Sequence, residues 1–201
     1  MTVRTATADD RGRAVRTALR AFAADPLIRW FFPDDATYES QAGALFGTLF
    51  DLRVDGGEVR CTDDVVAVAM WDRPGDHPKG QAWGDRVWED GTASFTPDEH
   101  ARFDRLGKEI ASHKVDVPTW YLGILATHPD WQRQGLASAV LGPVLELADA
   151  DGLPSALLTA TPENVAFYRR HGFTVHAEAD VPALPGEQAG PHVWTLRREP
   201  R

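Results

Sequence analysis

The sequence predicts an α/β (α+β) protein in which a mixed sheet carries helices on both faces. Three observations support this prediction. Short β-branched or apolar segments form candidate hairpins near both ends of the chain, at 59–71 and at 173–196. Segments with apolar residues at helical spacing lie between them. The strands predicted at 120–127 and 156–160 are joined by one such helical segment, and a helical crossover joins parallel strands.

The N-terminal quarter is predicted to hold one strand and two helices. Residues 2–6 have the β-branched character of a strand. The next helix is expected to run to about residue 24, because Asp25 and Pro26 break the pattern. The aromatic segment 27–33 is either core or the wall of a pocket. A leucine stripe predicts the second helix over 38–52.

A hairpin and a less regular section occupy the middle of the chain. Strands are predicted at 59–62 and 65–71, with a tight turn at 63–64. In the variable section that follows, a helix begins at Thr96, which is followed by proline and, three positions on, by glutamate. Whether the section 80–117 closes over a pocket is not decided by the sequence.

The C-terminal half alternates strands and helices. The helix from Leu136 onward contains Pro143, where we expect a kink rather than an end. A buried strand at 156–160 precedes a helix that starts after Thr161 and ends at Gly172. Two further strands, 173–181 and 192–196, complete the predicted sheet.

The length, net charge and cysteine count of the chain exclude several classes of protein. We expect 201 residues to form one domain, 1–201. A net charge of −9 argues against nucleic-acid binding, which needs a basic face. The single cysteine, Cys61, excludes an internal disulfide and a cysteine metal site, and no metal is expected. Without an apolar span or a secretory signal, we expect no membrane contact and a cytoplasmic location.

The stretch from Trp120 to Ala137 carries the strongest indication of a binding site. An apolar strand ends at a His-Pro turn, and the loop Gln-Arg-Gln-Gly-Leu-Ala then opens a helix. The first turn of a helix has unpaired N–H groups and positive dipole potential, so this arrangement favours a phosphate or another anion. Gly135 and Ala137 let the backbone approach such a ligand closely.

Two blocks of the sequence resemble the GNAT acetyltransferase superfamily. The residues from Gln132 to Ala137 are similar to the motif Q/R-x-x-G-x-G/A, and those from Asn164 to Phe173 to N-x-x-F-Y-x-x-x-G-F. Either block alone is a weak indication, but both occur here in the right order and at the right separation. The likeness extends over nearly the full length to the puromycin N-acetyltransferase group, except in the section 80–117.

The resemblance implies a sheet of about 6–7 strands, mostly antiparallel, whose central strands splay apart. It also implies acetyl-coenzyme A as cofactor, with Leu125 N–H polarising the carbonyl and Tyr168 as general acid. The pyrophosphate would lie on the loop and the pantetheine arm along the end of the strand. The implied cofactor-binding residues are Leu125, Ala126, Thr127, Gln132, Arg133, Gln134, Gly135, Leu136, Ala137, Ser138, Asn164, Phe167 and Tyr168.

The acceptor is less well defined than the cofactor. We expect a primary amine of a small molecule, for example an aminonucleoside antibiotic, which implies a role in resistance or detoxification. Alternatives are a protein or peptide amine, and a non-catalytic acyl-coenzyme A binding module. The candidate pocket residues are Asp25, Trp30, Phe31, Trp71 and Trp120. Candidates for the base are Asp25, Glu109, His113, Asp116 and His128. The chain is expected to be a monomer or a homodimer.

Overall fold

A computed structural model describes residues 1–113 and 117–201. Within these residues seven strands form one sheet, with seven helices around it. The strands are β1 (Val3–Thr5), β2 (Glu58–Thr62), β3 (Ala67–Asp72), β4 (Trp120–Thr127), β5 (Ser155–Thr159), β6 (Thr174–Asp180) and β7 (His192–Arg198). The helices are α1 (Arg11–Ala21), α2 (Pro26–Phe31), α3 (Asp35–Val54), α4 (Gln81–Gly91), α5 (Pro97–Ile110), α6 (Leu136–Asp151) and α7 (Pro162–Arg170).

The sheet is mixed, as predicted. Its strand order is β1-β2-β3-β4-β5-β7-β6. Among the described strands β4 and β5 form the only parallel pair, and every other neighbouring pair is antiparallel. The helix α6 makes the crossover between these two parallel strands.

The two central strands part after a short contact, which confirms the predicted splay. β4 pairs with β5 only from Trp120 to Leu122, opposite Ser155 to Leu157. Beyond that point β4 stays paired with β3 alone, whereas β5 stays paired with β7. The backbone of residues 123–127 therefore has no strand partner on its β5 side.

A bulge at Gly123 changes the face to which β4 side chains point. Met70 of β3 lies opposite Ile124 and Trp71 lies opposite Leu122, so Gly123 is the extra residue. Leu122 packs in the core under α6, whereas Ile124 packs in the core under α1 and α3. A Cβ at Gly123 would lie 2.5 Å from a guanidinium nitrogen of Arg53, so the Arg53 side chain would have to move to admit one.

One hydrophobic core lies on each face of the sheet. Helices α1, α2, α3 and α5 cover one face, with Phe46, Phe50 and Phe32 fully buried in that core. Helices α6 and α7 cover the other face, where Trp71 and Phe173 are among the buried residues. The opening between β4 and β5 lies between these two layers.

The structure adjusts several predicted boundaries. The aromatic segment forms the short helix α2, because Asp25 Oδ1 accepts hydrogen bonds from Leu27 N and Ile28 N, both at 3.0 Å. The turn between β2 and β3 is longer than predicted, and Val65 in it adopts a φ of 60°. Helix α6 continues through Pro143.

Helices α1 and α4 differ from the prediction. The end of α1 is different, and α4 was not predicted. Helix α1 ends at Ala21 instead of near residue 24. Helix α4 lies in the section that the sequence left without an assignment, and none of its residues is fully buried. In the described part of the chain, no helix is long and apolar enough to cross a membrane.

Candidate functional site

A cleft of about 530 Å³ opens where β4 and β5 separate. It extends from the end of β4 across the loop before α6 to one face of α7. Most of the residues predicted for the cofactor site line it: Leu125, Thr127, Gln132, Arg133, Gly135, Leu136, Ala137, Ser138, Asn164, Phe167 and Tyr168. Most of the residues predicted to bind the cofactor therefore surround the opening between β4 and β5.

The loop before α6 presents free backbone donors to the cleft. Gly135 has a φ of 81°, and Arg133 has a φ of 60°. The helix has no side-chain hydrogen bond at its N-cap and no acidic residue in its first turn. Its first N–H groups are consequently left for a ligand, and the dipole favours an anion there.

Space at Gly135 fits a ligand that lies against the backbone. A Cβ added there would meet no atom within 4 Å, so it would project into the open cleft. A positive φ also disfavours any other L-residue at this position. A side chain at position 135 would occupy the space next to the backbone of the loop. Glycine leaves that space open for a group such as pyrophosphate.

The end of β4 adds an unsatisfied polar atom to the same cleft. Thr127 Oγ1 is buried and has no hydrogen-bond partner among the described residues. The neighbouring carbonyl of Thr127 accepts a hydrogen bond of 3.2 Å from Gln132 Nε2, which ties the strand to the loop. Across the opening, Asn164 Nδ2 donates to Thr159 Oγ1 at 3.2 Å. A buried hydroxyl without a partner costs free energy unless a ligand or water satisfies it.

Tyr168 lies at the inner end of the cleft. Its ring makes edge contacts with Phe167 and Phe173, at centroid distances of 5.2 and 5.7 Å. Its hydroxyl has no hydrogen-bond partner within the described part of the chain. Burial raises the pKa of Tyr168 far above its usual range, and the nearby Tyr121 and Asp25 raise the pKa further. The phenol is therefore held in its protonated form.

Asp25 reaches the cleft from the opposite layer. Its Oδ1 caps α2, and its carboxylate is among the groups that line the cleft. Burial raises the pKa of Asp25, and the hydrogen bonds from Ile28 N and Leu27 N oppose that shift. A phenol that is a proton donor and a carboxylate with increased basicity thus share the inner end of the cleft.

A side-chain contact joins the start of α6 to the residue that follows α7. Ser138 Oγ lies 3.0 Å from His171 Nε2, so the first turn of α6 is bound to the end of α7. Burial lowers the pKa of His171, and the positive charges of Arg170 and Arg198 lower it further. The imidazole is therefore neutral at neutral pH, and the contact joins two uncharged groups.

Comparison with known families supports the same assignment. Residues 49–173 match the Acetyltransferase (GNAT) family, which is more than half of the 201 residues. This chain belongs to the GNAT acetyltransferase family. As a GNAT N-acetyltransferase, it is an acyltransferase.

Solved structures of other acetyltransferases share the fold. One, from Corynebacterium glutamicum, is described as histone acetyltransferase HPA2 and related acetyltransferase; the TM-score is 0.67 at 23% identity, over 100% of this chain and 96% of that one. Arylalkylamine N-acetyltransferase 2 from Aedes aegypti gives 0.67 at 12% identity, over 100% and 99%. The ribosomal-protein-S18-alanine N-acetyltransferase from Escherichia coli gives 0.55 at 15%, over 98% and 92%.

Two residues predicted to bind cofactor do not line the cleft with their neighbours. Ala126 is buried in the core under α1 and α3, because the bulge at Gly123 directs Leu125 and Thr127 toward the cleft and Ala126 away from it. Gln134 is exposed, and its side chain is not part of the cleft wall. Only their backbone groups remain available for the predicted role.

The aromatic residues predicted for the acceptor pocket belong to the cores instead. Trp71 is fully buried and Trp120 donates from Nε1 to Asp151 at 3.0 Å, both on the α6 face of the sheet. Phe31 stacks on Phe103 with centroids 3.9 Å apart. Trp30 donates from Nε1 to Glu187 at 3.2 Å. Of that set, Asp25 alone lines the cleft.

The structure also places the candidates for the general base in different parts of the molecule. Asp25 lies at the inner end of the cleft, and His113 lines a second cavity beneath α5. His128 caps the turn after β4, close to Asp130, and lines neither of these cavities. Glu109 also lines neither. Asp116 lies outside the described residues.

Sequence reasoning missed several residues of the GNAT cleft. Beside the cleft, Tyr121 lines the second cavity beneath α5, one register position before the last β4–β5 pair, and the alternation of β4 was its only indication. Phe22 reaches the cleft just past the end of α1. Trp131, with 38% of its surface exposed, and Arg170 stand on the cleft wall next to the two motif blocks. An exposed tryptophan beside a binding loop is visible only in the structure.

Proposed function

We propose that this GNAT protein transfers the acetyl group of acetyl-coenzyme A to a primary amine of a small molecule. The observation that carries the proposal is the convergence of three features in one cleft. These are the unpaired edge of β4 at 123–127, the uncapped first turn of α6, and the free hydroxyl of Tyr168. Each supplies a group that amide formation from a thioester needs.

The cofactor fits the donors of the cleft. The N–H groups of residues 132–138 would hold its pyrophosphate, with added positive charge from Arg133. The backbone of residues 125–127 would pair with the amide groups of its pantetheine arm, assisted by Asn164. Thr127 lines the cleft and its Oγ1 has no hydrogen-bond partner in the described structure, which supports a polar ligand there. When bound, acetyl-coenzyme A supplies the acetyl group as a thioester.

The backbone of β4 is suited to polarise the carbonyl. We assign this role to the N–H of Leu125, which belongs to the segment that lacks a strand partner on the β5 side. A rigid strand holds such a donor in place before the reaction, so no reorganisation is needed. A preorganised donor of this kind typically lowers a barrier by ~3 kcal/mol.

Tyr168 is suited to protonate the leaving thiolate. Its raised pKa keeps the proton on the phenol throughout the physiological range, and its hydroxyl is not engaged elsewhere in the described structure. Proton donation by a positioned side chain contributes about 10²–10⁴-fold to a rate. An acyl-coenzyme A binding module would need the cradle but not this donor, which favours the enzyme.

Asp25 is suited to bind and deprotonate the amine. One carboxylate oxygen is held by the start of α2, and the pKa of the group is raised by burial. Both features favour a fixed base that accepts a proton more readily than an exposed carboxylate. Cys61 does not line the cleft and is fully buried in β2, so direct transfer without a covalent enzyme intermediate is the simplest course.

For the acceptor we propose a small primary amine, and an aminonucleoside such as puromycin as its specific form. The support is the sequence resemblance to the puromycin N-acetyltransferase group. Resistance or detoxification would be the resulting role. Peptide amines are the alternative, and an open groove with acidic walls would be the feature that marks them.

The experiment is thiol release from acetyl-coenzyme A with a panel of amines, beginning with puromycin. Turnover of puromycin is the expected result. Turnover of other amines alone would retain the reaction and overturn the aminonucleoside. Cofactor binding without turnover of any small amine or N-terminal peptide would overturn the enzymatic proposal and favour a binding module.

A further inference from the structure

A second cavity of about 500 Å³ lies beneath the C-terminal end of α5. The mechanism above does not use it. Its walls come from α5, the turn after it and the strands β4, β5 and β7. Cavities of this size are typical of small-molecule sites.

The described lining of this cavity is apolar and uncharged. The apolar part includes Ile110, Ala156 and Leu158, together with Gly107 on α5 and Ala111 in the turn after it. The polar groups are hydroxyls and one imidazole. His113 Nδ1 lies 3.0 Å from Thr195 Oγ1, so that imidazole is already held by a neighbour. No described lining residue carries a carboxylate, an ammonium or a guanidinium group.

The cavity reaches the point where the central strands part. Leu157 and Leu122 form the last pair between β5 and β4, and Leu157 lines the cavity. Tyr121, next to that pair, also lines it. Tyr121 is in turn close enough to Tyr168 to raise its pKa. The cavity and the cleft therefore approach each other across the opening between the strands.

We propose that the cavity beneath α5 holds the body of the acceptor, and that it selects a primary amine whose remaining part is apolar and uncharged, such as an aromatic ring. This inference rests on the proposed acetyl transfer. Its basis is the lining of the cavity and its position beside the last pair of β4 and β5, where the strands part. An amine that carries a second charge would lose solvation there without gaining a charged partner from the described lining.

The first test compares two amines, 2-phenylethylamine and agmatine. Both have a primary amine, but agmatine replaces the ring with a guanidinium group. We expect kcat/KM to favour phenylethylamine by ~10-fold or more, as pocket contacts of this kind allow. Equal use of the two amines, or a preference for agmatine, would overturn the inference.

The second test uses two filled variants, which add bulk at exposed positions on the rim of the cavity and narrow its mouth. Gly107→Leu and Ala111→Leu add bulk at positions one helical turn apart, and a Cβ at Gly107 meets no atom within 4 Å, so the fold should tolerate it. Each should raise KM for phenylethylamine ~10-fold with unchanged coenzyme A affinity. The control is Gly12→Leu, on an exposed turn of α1 where a Cβ has only Arg16 within 4 Å, at 3.5 Å.

Direct binding separates this inference from the proposed reaction. Phenylethylamine is titrated calorimetrically into protein that holds coenzyme A. Binding that both filled variants weaken, without turnover, would support the cavity and overturn the reaction. Turnover that neither filled variant changes would support the reaction and overturn the cavity. If phenylethylamine neither binds nor reacts, the inference is wrong.

Discussion

At the residue scale, Tyr168 shows how burial prepares a side chain for one chemical role. The residue packs between Phe167 and Phe173, and burial raises its pKa. A raised pKa keeps the proton on the phenol but makes the phenol a weaker acid. Its surroundings therefore exclude it as a base at neutral pH, and it can donate only as negative charge develops on the leaving sulfur.

Tyr168→Phe should lower kcat by about 10²-fold, because the proton donor is lost. Coenzyme A affinity and the melting temperature should stay close to wild type, since the ring contacts remain. The control is Tyr38→Phe, which removes a hydrogen bond of 3.3 Å to Leu19 O outside the cleft and should leave kcat unchanged. Wild-type turnover in Tyr168→Phe would show that another group or water supplies the proton.

Asp25→Asn should reduce kcat by about 10²-fold and flatten the acidic limb of the pH–rate profile. A raised pKa means that the wild-type base is protonated, and activity lost, at a higher pH than for an ordinary aspartate. The raised pKa also means that the contribution of Asp25 to stability is present at low pH and lost as the pH rises through that pKa.

Thermal melts at neutral pH provide the control for Asp25→Asn. Asparagine caps a helix about as well as aspartate. The variant also lacks the buried charge that burial disfavours, so its melting temperature should equal or exceed that of wild type. An unchanged acidic limb with full turnover would remove Asp25 from the mechanism.

At the element scale, β4 contributes most to the site. One bulged residue, Gly123, exchanges the faces of the strand, so Tyr121 points toward α5 while Leu125 and Thr127 point toward the cofactor cleft. A single glycine within an apolar strand is a known indication of a bulge. Its consequence for side-chain direction could not be predicted without knowing which residues of β3 pair with it.

The loop before α6 was the element that the sequence predicted best. Its glycine, its motif and the start of the helix lie where expected, and Gly135 has the positive φ that its position requires. Such features are local, because they depend on a few consecutive residues. The second cavity depends instead on how α5 lies over three strands, and its apolar residues had no pattern to distinguish them from core.

The tryptophans show the same limit of prediction from sequence. Trp71 and Trp120 were predicted for a pocket because large aromatic rings often bind ligands. Both are buried under α6, where their size fills the core. Sequence alone does not show whether a tryptophan binds a ligand or packs in the core, since both roles use the apolar face of its ring.

At the scale of the whole molecule, the site is a gap in a sheet between two hydrophobic cores. The α6 and α7 layer supplies the cradle and Tyr168, whereas the α1 and α2 layer supplies Asp25. The element order and the mixed sheet could be predicted from periodicity and turns. The pairing that stops after Leu122 depends on long-range contacts, so only the family resemblance, and not periodicity or turns, predicted the splay.

Hydrogen exchange with and without coenzyme A tests the central claim most directly, which is that cofactor occupies the opening between β4 and β5. We predict slower exchange at residues 123–127 and 133–138 when coenzyme A is bound. Gly135→Asp should abolish both binding and protection, because it adds negative charge and a side chain at a positive φ. Tight binding without protection of these two segments, or full affinity in Gly135→Asp, would contradict the account.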